Sequence, residues 1–125
     1  MIPTAKLQRI LAYGLLAMLP HLALAAPTAD EQLRHGGEIF SGICAACHGA
    51  DPARPMAFAR QRMQTLGELY GFVSTRMPAS APGSLAPQDY ADVLAYVMTR
   101  TGTPFGTAPL TAETASRSPM PLQHP

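Results

Sequence analysis

Read for apolar and polar positions, the chain divides into an apolar leader, three stretches with helical spacing, and a tail without period. Thr28-Ala-Asp-Glu31 opens the first stretch as a capping box, with its acids at the positive end of the helix dipole. Leu33, Gly36, Gly37 and Phe40 then share one face, predicting a helix over about Ala29 to Gly42. Two adjacent glycines weaken a free helix, so they point to another backbone passing close by. Thr65-Leu-Gly-Glu68 opens a second helix over Leu66 to Arg76, with Leu66, Leu69, Tyr70 and Val73 as its stripe. Met77-Pro78 ends it, because the residue before proline is pushed out of helical geometry. Pro87 suits a first helical position, and Tyr90, Val93, Leu94 and Val97 line a third helix over Pro87 to Thr101, closed by Gly102. The linkers hold Pro52, Pro55, Pro82 and Gly83. Neither strand-like alternation nor an internal repeat is visible, so the fold class is all-α.

The two ends read differently from the middle. Lys6 and Arg9 precede an apolar run from Ile10 to Leu24, and Ala23-Leu24-Ala25 has the small–x–small form of a signal-peptidase site. The run is shorter than the ~20 residues that span hydrocarbon and is interrupted by Pro20 and His21. Residues 1–25 are therefore expected to be a signal peptide cleaved after Ala25, and the protein to be periplasmic. From Thr103 to Pro125 the chain is rich in Pro, Thr and Ala and reads as a flexible tail. That leaves residues 26–102 as the folded domain, a core so small that a staple would be needed.

Charge excludes one class of function. After the leader, seven arginines and no lysine stand against eight acids, a net of −1, so nothing resembles a nucleic-acid-binding surface. The cysteines supply the chemistry. In an oxidising compartment two cysteines could form one disulfide, or they could hold a cofactor. Cys44-Ala45-Ala46-Cys47-His48 is C-x-x-C-H, the haem c attachment motif. Two thiols three residues apart reach both haem vinyl groups from one turn, and the following imidazole becomes the proximal iron ligand. A thioredoxin-like pair would want a strand before the motif and a long helix after it, whereas a helix precedes this one and Gly49-Ala-Asp-Pro52 breaks the chain beyond it. A structural zinc site would want four ligands at metal spacing, and His35 and His124 are not so placed.

An electron carrier fills both axial positions of its iron, and a thioether opposite imidazole raises the potential. Met56 is too near His48 to reach the opposite face, Met98 lies within a helix and Met120 in the tail. Met63 and Met77 remain, and either could instead be adaptable core packing.

Gly36-Gly-Glu-Ile-Phe40, the C-x-x-C-H-G run, Arg76-Met77-Pro78, Pro82-Gly83-Ser84-Leu85 and Tyr90-Ala-Asp-Val-Leu-Ala-Tyr96 together resemble a class I c-type cytochrome over about Glu31 to Gly106. The resemblance implies a small cytochrome c fold with one covalently attached haem c. Its N- and C-terminal helices cross beside the haem, with a short helix between them, and Gly36 and Phe40 meet Val93 and Tyr96. It places the sixth ligand at Met77, and it gives Pro55, rather than Pro52, as the carbonyl that accepts the His48 Nδ1 proton. The stretch from His48 to Met77 is short for the family. From Glu68 through Gly106 the chain is most similar to cytochrome subunits that accompany periplasmic dehydrogenases, including quinoprotein alcohol dehydrogenases. A one-electron carrier with no small-molecule substrate is thus expected, with a dehydrogenase as donor and an oxidase or another cytochrome as acceptor. The alternatives are a haem enzyme or gas sensor with an open sixth site, and a haem-free thiol oxidoreductase. Arg54, Arg60, Arg62 and Arg76 cluster between the haem motif and the methionine loop, where they would contact propionates, dock an acidic partner or, as favoured for Arg60 and Arg62, simply be solvated. Tyr70 reads as core rather than as a redox relay.

Overall fold

The computed structural model describes residues 25–103 and 105–123. The expected signal peptide lies, but for Ala25, outside the described residues. Among those described, no helix is long and apolar enough to cross a membrane.

Among the described residues there are six α-helices. Helix α1 is Ala29–Ile39, and Phe40–Cys44 continues it as a π-helical turn into α2, Ala45–His48. Helix α3 is Ala53–Arg62, α4 Leu66–Arg76, α5 Pro87–Arg100 and α6 Ala112–Ser116. The one β-type pairing among the described residues is an isolated antiparallel bridge between Thr65 and Pro121. The all-α fold class is thus borne out.

The capping box of α1 forms as the sequence predicts. Glu31 N–H donates to Thr28 Oγ1 at 3.2 Å, and Thr28 N–H donates to Glu31 Oε2 at 2.7 Å. These bonds hold the Glu31 carboxyl below the ordinary range. The helix then runs further than expected. The motif does not follow a helix; it lies inside one, because Ala45 and Ala46 are strong helix formers. The π-helical turn, an uncommon feature that gathers at functional sites, widens the helix where the motif begins.

Helices α1 and α5 cross with their backbones in contact. A Cβ on Gly36 would overlap the Asp92 carbonyl oxygen and lie 3.0 Å from Tyr96 Cβ. A Cβ on Gly37 would meet only the edge of the Tyr96 ring, at 3.1 Å. Phe40 tilts against Tyr96, with ring centroids 5.8 Å apart. The glycine pair is therefore explained by close approach, although Gly36 meets Asp92 and Tyr96 where Val93 was the anticipated neighbour. Gly36→Ala should cost about 1–3 kcal/mol as the crossing is forced apart. Gly37→Ala should be near neutral, since a movable ring edge is offset by about 1 kcal/mol of helix propensity. Urea unfolding of the two holoprotein variants checks this, and equal losses would contradict it.

Helix α3 was not anticipated, because Pro52 and Pro55 flank its start. Both prolines stand where a helix leaves N–H groups unpaired, so neither removes a helical bond. Asp51 Oδ1 accepts from Ala53 N–H at 2.9 Å and completes the cap. Met56 and Ala59 point inward from α3 and are buried.

The segment after Thr103 corrects the expectation of a flexible tail. Leu110, Ala115 and Leu122 are buried in the same core as α5, and α6 carries its own reciprocal cap between Thr111 and Thr114. Spaced apolar residues without a period give no helical or strand signal, so this packing is invisible in one dimension. The polar groups that fasten it come from elsewhere in the chain. Gln32 Nε2 donates to the Leu110 carbonyl at 2.7 Å, and Gln32 Oε1 accepts from Leu110 N–H at 2.7 Å. Asp92 accepts from Gln32 and Gln88 and contacts His35 Nδ1 at 2.8 Å, so the buried polar groups at the α1–α5 crossing are paired.

Candidate functional site

Cys44 closes the π-helical turn, Cys47 lies in α2, and His48 is its last residue. Gly49 then takes φ +76°, a left-handed conformation that an L side chain rarely adopts, and turns the chain sharply after the imidazole. Both cysteines are free thiols, Cys44 half-buried and Cys47 exposed. Burial pushes the Cys44 thiol above its ordinary pKa.

Met77 lines the same space from the end of α4. It caps α4 in an extended conformation, with its N–H donating to the Val73 carbonyl at 3.0 Å. Its carbonyl accepts from the Tyr90 hydroxyl at 2.7 Å and from Gly83 N–H at 3.1 Å. The Tyr90 oxygen in turn accepts from Leu85 N–H at 3.2 Å. One tyrosine of α5 thus ties both ends of the 77–85 loop. Sequence reasoning had given Tyr90 only to the core, and its position in the α5 stripe does not betray the hydroxyl's partners.

Between these elements lies a cavity of about 630 Å³, walled by the π-helical turn, α2 through α5 and the methionine loop. Cys44, Cys47, His48, Pro55 and Met77, all the site residues expected from sequence, line it. The rest of the wall is largely apolar, including Phe40, Leu69, Phe72, Val93, Leu94 and Val97. Met56 and Met63 also line it and are buried, so Met63 is a wall residue rather than loop surface. Pro55 occupies the first turn of α3; among the described residues its carbonyl makes no hydrogen bond to the His48 ring.

The arginines separate. Arg54 lines the cavity, with Nη1 3.3 Å from where a Gly49 Cβ would stand. Arg62 lies over the Phe58 ring, 4.9 Å from its centroid, beside the mouth where Phe58 and Ile43 are exposed. Arg60 is neither solvated nor at the cavity: it donates to the carbonyls of Leu122 and Thr101 and to Thr103 Oγ1. Tyr70 is buried, as expected, and its hydroxyl donates to the Pro87 carbonyl at 3.0 Å. Burial, and secondarily Tyr90, raises its pKa.

Protein interiors leave few voids larger than a water molecule, so an apolar space of this size is shaped for a large apolar group. Two free thiols and an imidazole on one turn, with the thioethers of Met56, Met63 and Met77 among the lining, make a donor set from which a covalently held haem could be served. The residues present therefore fit haem c: Cys44 and Cys47 would hold it, and His48 would face its iron. Once bound, such a group supplies a one-electron ferrous–ferric couple.

The comparison with family models agrees with this geometry. The model described as cytochrome c oxidase, cbb3-type, subunit III matches residues 31–97, from α1 through most of α5. No curated protein and no solved structure matches the chain. Because the match takes in more than half of the chain and includes the attachment motif, the chain belongs to this family of class I c-type cytochrome domains, electron-transfer haem proteins rather than catalysts.

Proposed function

We propose that the protein is a periplasmic one-electron carrier with a single haem c ligated by His48 and Met77. The observation that carries the reading is the shared cavity, with His48 on one wall and Met77 on another, the latter pinned by Tyr90. A thioether with its backbone held on both sides is a ligand whose position does not depend on the iron, which suits a carrier that must not rearrange between oxidation states. Cys44 and Cys47 form the thioethers. With haem bound, the Pro55 carbonyl would accept the His48 Nδ1 proton; α3 takes one lone pair of that oxygen and leaves the second for it.

Electrons cross at the mouth of the cavity, where Ile43 and Phe58 present apolar surface and Arg54 and Arg62 add positive charge. A periplasmic dehydrogenase is the donor, with this chain as a free shuttle or as the dehydrogenase's own cytochrome subunit. An oxidase or another cytochrome is the acceptor, a side that the oxidase named in the family description supports.

The test is spectroscopic and uses purified holoprotein. The ferric form should show the weak long-wavelength charge-transfer band of iron–thioether bonding, and the ferrous form should leave carbon monoxide unbound. Rapid carbon monoxide binding without the band would replace this reading with a haem enzyme or gas sensor. A colourless protein would return the cysteines to thiol chemistry.

A further inference from the structure

The segment after α5 bridges two parts of the fold that otherwise meet through apolar packing and a few side-chain hydrogen bonds. At one end it is fastened to the α1–α5 frame. Leu110 is held through both its backbone groups by Gln32, Gln88 Nε2 donates to the Leu110 carbonyl at 2.9 Å, and Ala112 N–H donates to Gln88 Oε1 at 3.1 Å. At the other end it grips the α3–α4 junction. Leu66 and Gly67 are the first two residues of α4, and their N–H groups have no partner within the helix. They donate instead to the carbonyls of Met120, at 2.9 Å, and Ser118, at 3.0 Å. Leu122 N–H donates to the Gln64 carbonyl at 3.0 Å, and the Leu122 side chain is fully buried. Arg60 of α3 closes the joint: its guanidinium donates to Leu122 O at 3.1 Å, Thr101 O at 3.3 Å and Thr103 Oγ1 at 2.6 Å, and its own carbonyl accepts from the Gln123 amide. All of these strap residues lie beyond the stretch matched by the family.

Helices α3 and α4 form the cavity wall that carries Met56, Met63, Leu69 and, at its end, Met77. Apart from apolar packing, the hydrogen bonds that hold this wall to α5 at its far end are those of Tyr70 and Tyr90. We infer that the C-terminal segment is a latch for the α3–α4 wall, with Arg60 as its positioning residue, and that it sets how readily the wall opens to admit an outside ligand to the cavity. Local openings of a native protein follow units that share few attachments. Loosening one of two attachments should free α4 while the α1–α5 crossing stays closed. The consequence for ligand entry rests on the Met77 reading; the opening of α4 does not.

The test compares holoprotein with Arg60→Met, which keeps the length of the side chain but none of its donors. Thr103→Val, which removes only the shortest of the bonds that the Arg60 guanidinium donates, serves if the first variant gives no holoprotein. Amide hydrogen exchange should accelerate at least tenfold across α4, Leu69 and Tyr70 included, and by less than twofold in α1 and α5. Carbon monoxide, which the wild-type ferrous form leaves unbound, should bind the ferrous variant over the same time. Equal acceleration of α1, α4 and α5 would mean that the segment adds only global stability, and no acceleration would mean that it holds nothing; either overturns the latch. Faster α4 exchange without carbon monoxide binding overturns its control of access. If the wild-type ferric protein lacks the thioether band, the Met77 reading fails, while the exchange pattern still decides the latch.

Discussion

Replacing Cys44 and Cys47 together by alanine should abolish covalently bound haem in a host that attaches haem c, and should leave a chain that does not hold its fold. The first effect follows from the thioethers, which have no other donors: the full sequence holds two cysteines, and both line the cavity. The second follows from the cavity. Without the group that fills it, the largely apolar wall of this space loses its packing partners and faces water, in a domain whose whole stability is about 5–15 kcal/mol. Phe40, Leu69 and Leu94 would collapse into the space or take up water, and the Met77 loop would lose its far wall. Each single variant keeps one attachment and should give coloured protein in reduced yield. Acid–acetone extraction, which removes haem that is not covalently bound, together with far-ultraviolet circular dichroism, checks both effects. Normal covalent haem in the double variant would sink the assignment of the motif.

Met77→Ala is the second large expected effect. The ferric charge-transfer band should vanish, the ferrous form should bind carbon monoxide, and the potential should fall by on the order of 100 mV, a modest part of the ~0.8 V over which axial ligands tune haem iron. Each ~59 mV is tenfold in a one-electron equilibrium, so the variant would cease to accept electrons from a donor matched to the wild type. Met63→Ala should leave the band in place and cost about 2–5 kcal/mol of stability, because Met63 is a buried wall residue. The two variants therefore move different observables. If Met63→Ala loses the band and Met77→Ala retains it, the ligand assignment is exchanged while the cytochrome remains. A subtler check is Tyr90→Phe, which removes the hydroxyl from the Met77 carbonyl and the Leu85 N–H while keeping the ring. It should keep the band but lower the pH or temperature at which it is lost.

The chemistry of this chain is written in contiguous residues, and that is why it is legible. Cys44, Cys47 and His48 must sit on one turn, so their spacing survives any packing around them. The capping box at Thr28, the Thr65 cap of α4 (whose Glu68 reaches the Gln64 N–H instead of completing the expected box) and the start of α5 at Pro87 are local for the same reason: side chain and backbone partner lie within a few residues. Even the glycine pair announced a neighbour, because Gly36 and Gly37 are poor helix residues with no local excuse.

What only the tertiary structure decided is everything whose partner is far along the chain. That Asp92 is the backbone against Gly36, that Tyr90 ties the methionine loop, and that Arg60 clasps Leu122 are relations between side chains with no periodic signature. Helix α3 was hidden by its prolines, which read as breakers until they stand in a first turn where no N–H is missed. The C-terminal segment was hidden by its composition. Its Pro, Thr and Ala residues bury too little on their own to order a chain; the segment is ordered because Leu110 and Leu122 are buried and Gln32, Gln88 and Arg60 bond the backbone of Leu110, Ala112 and Leu122 from three other helices.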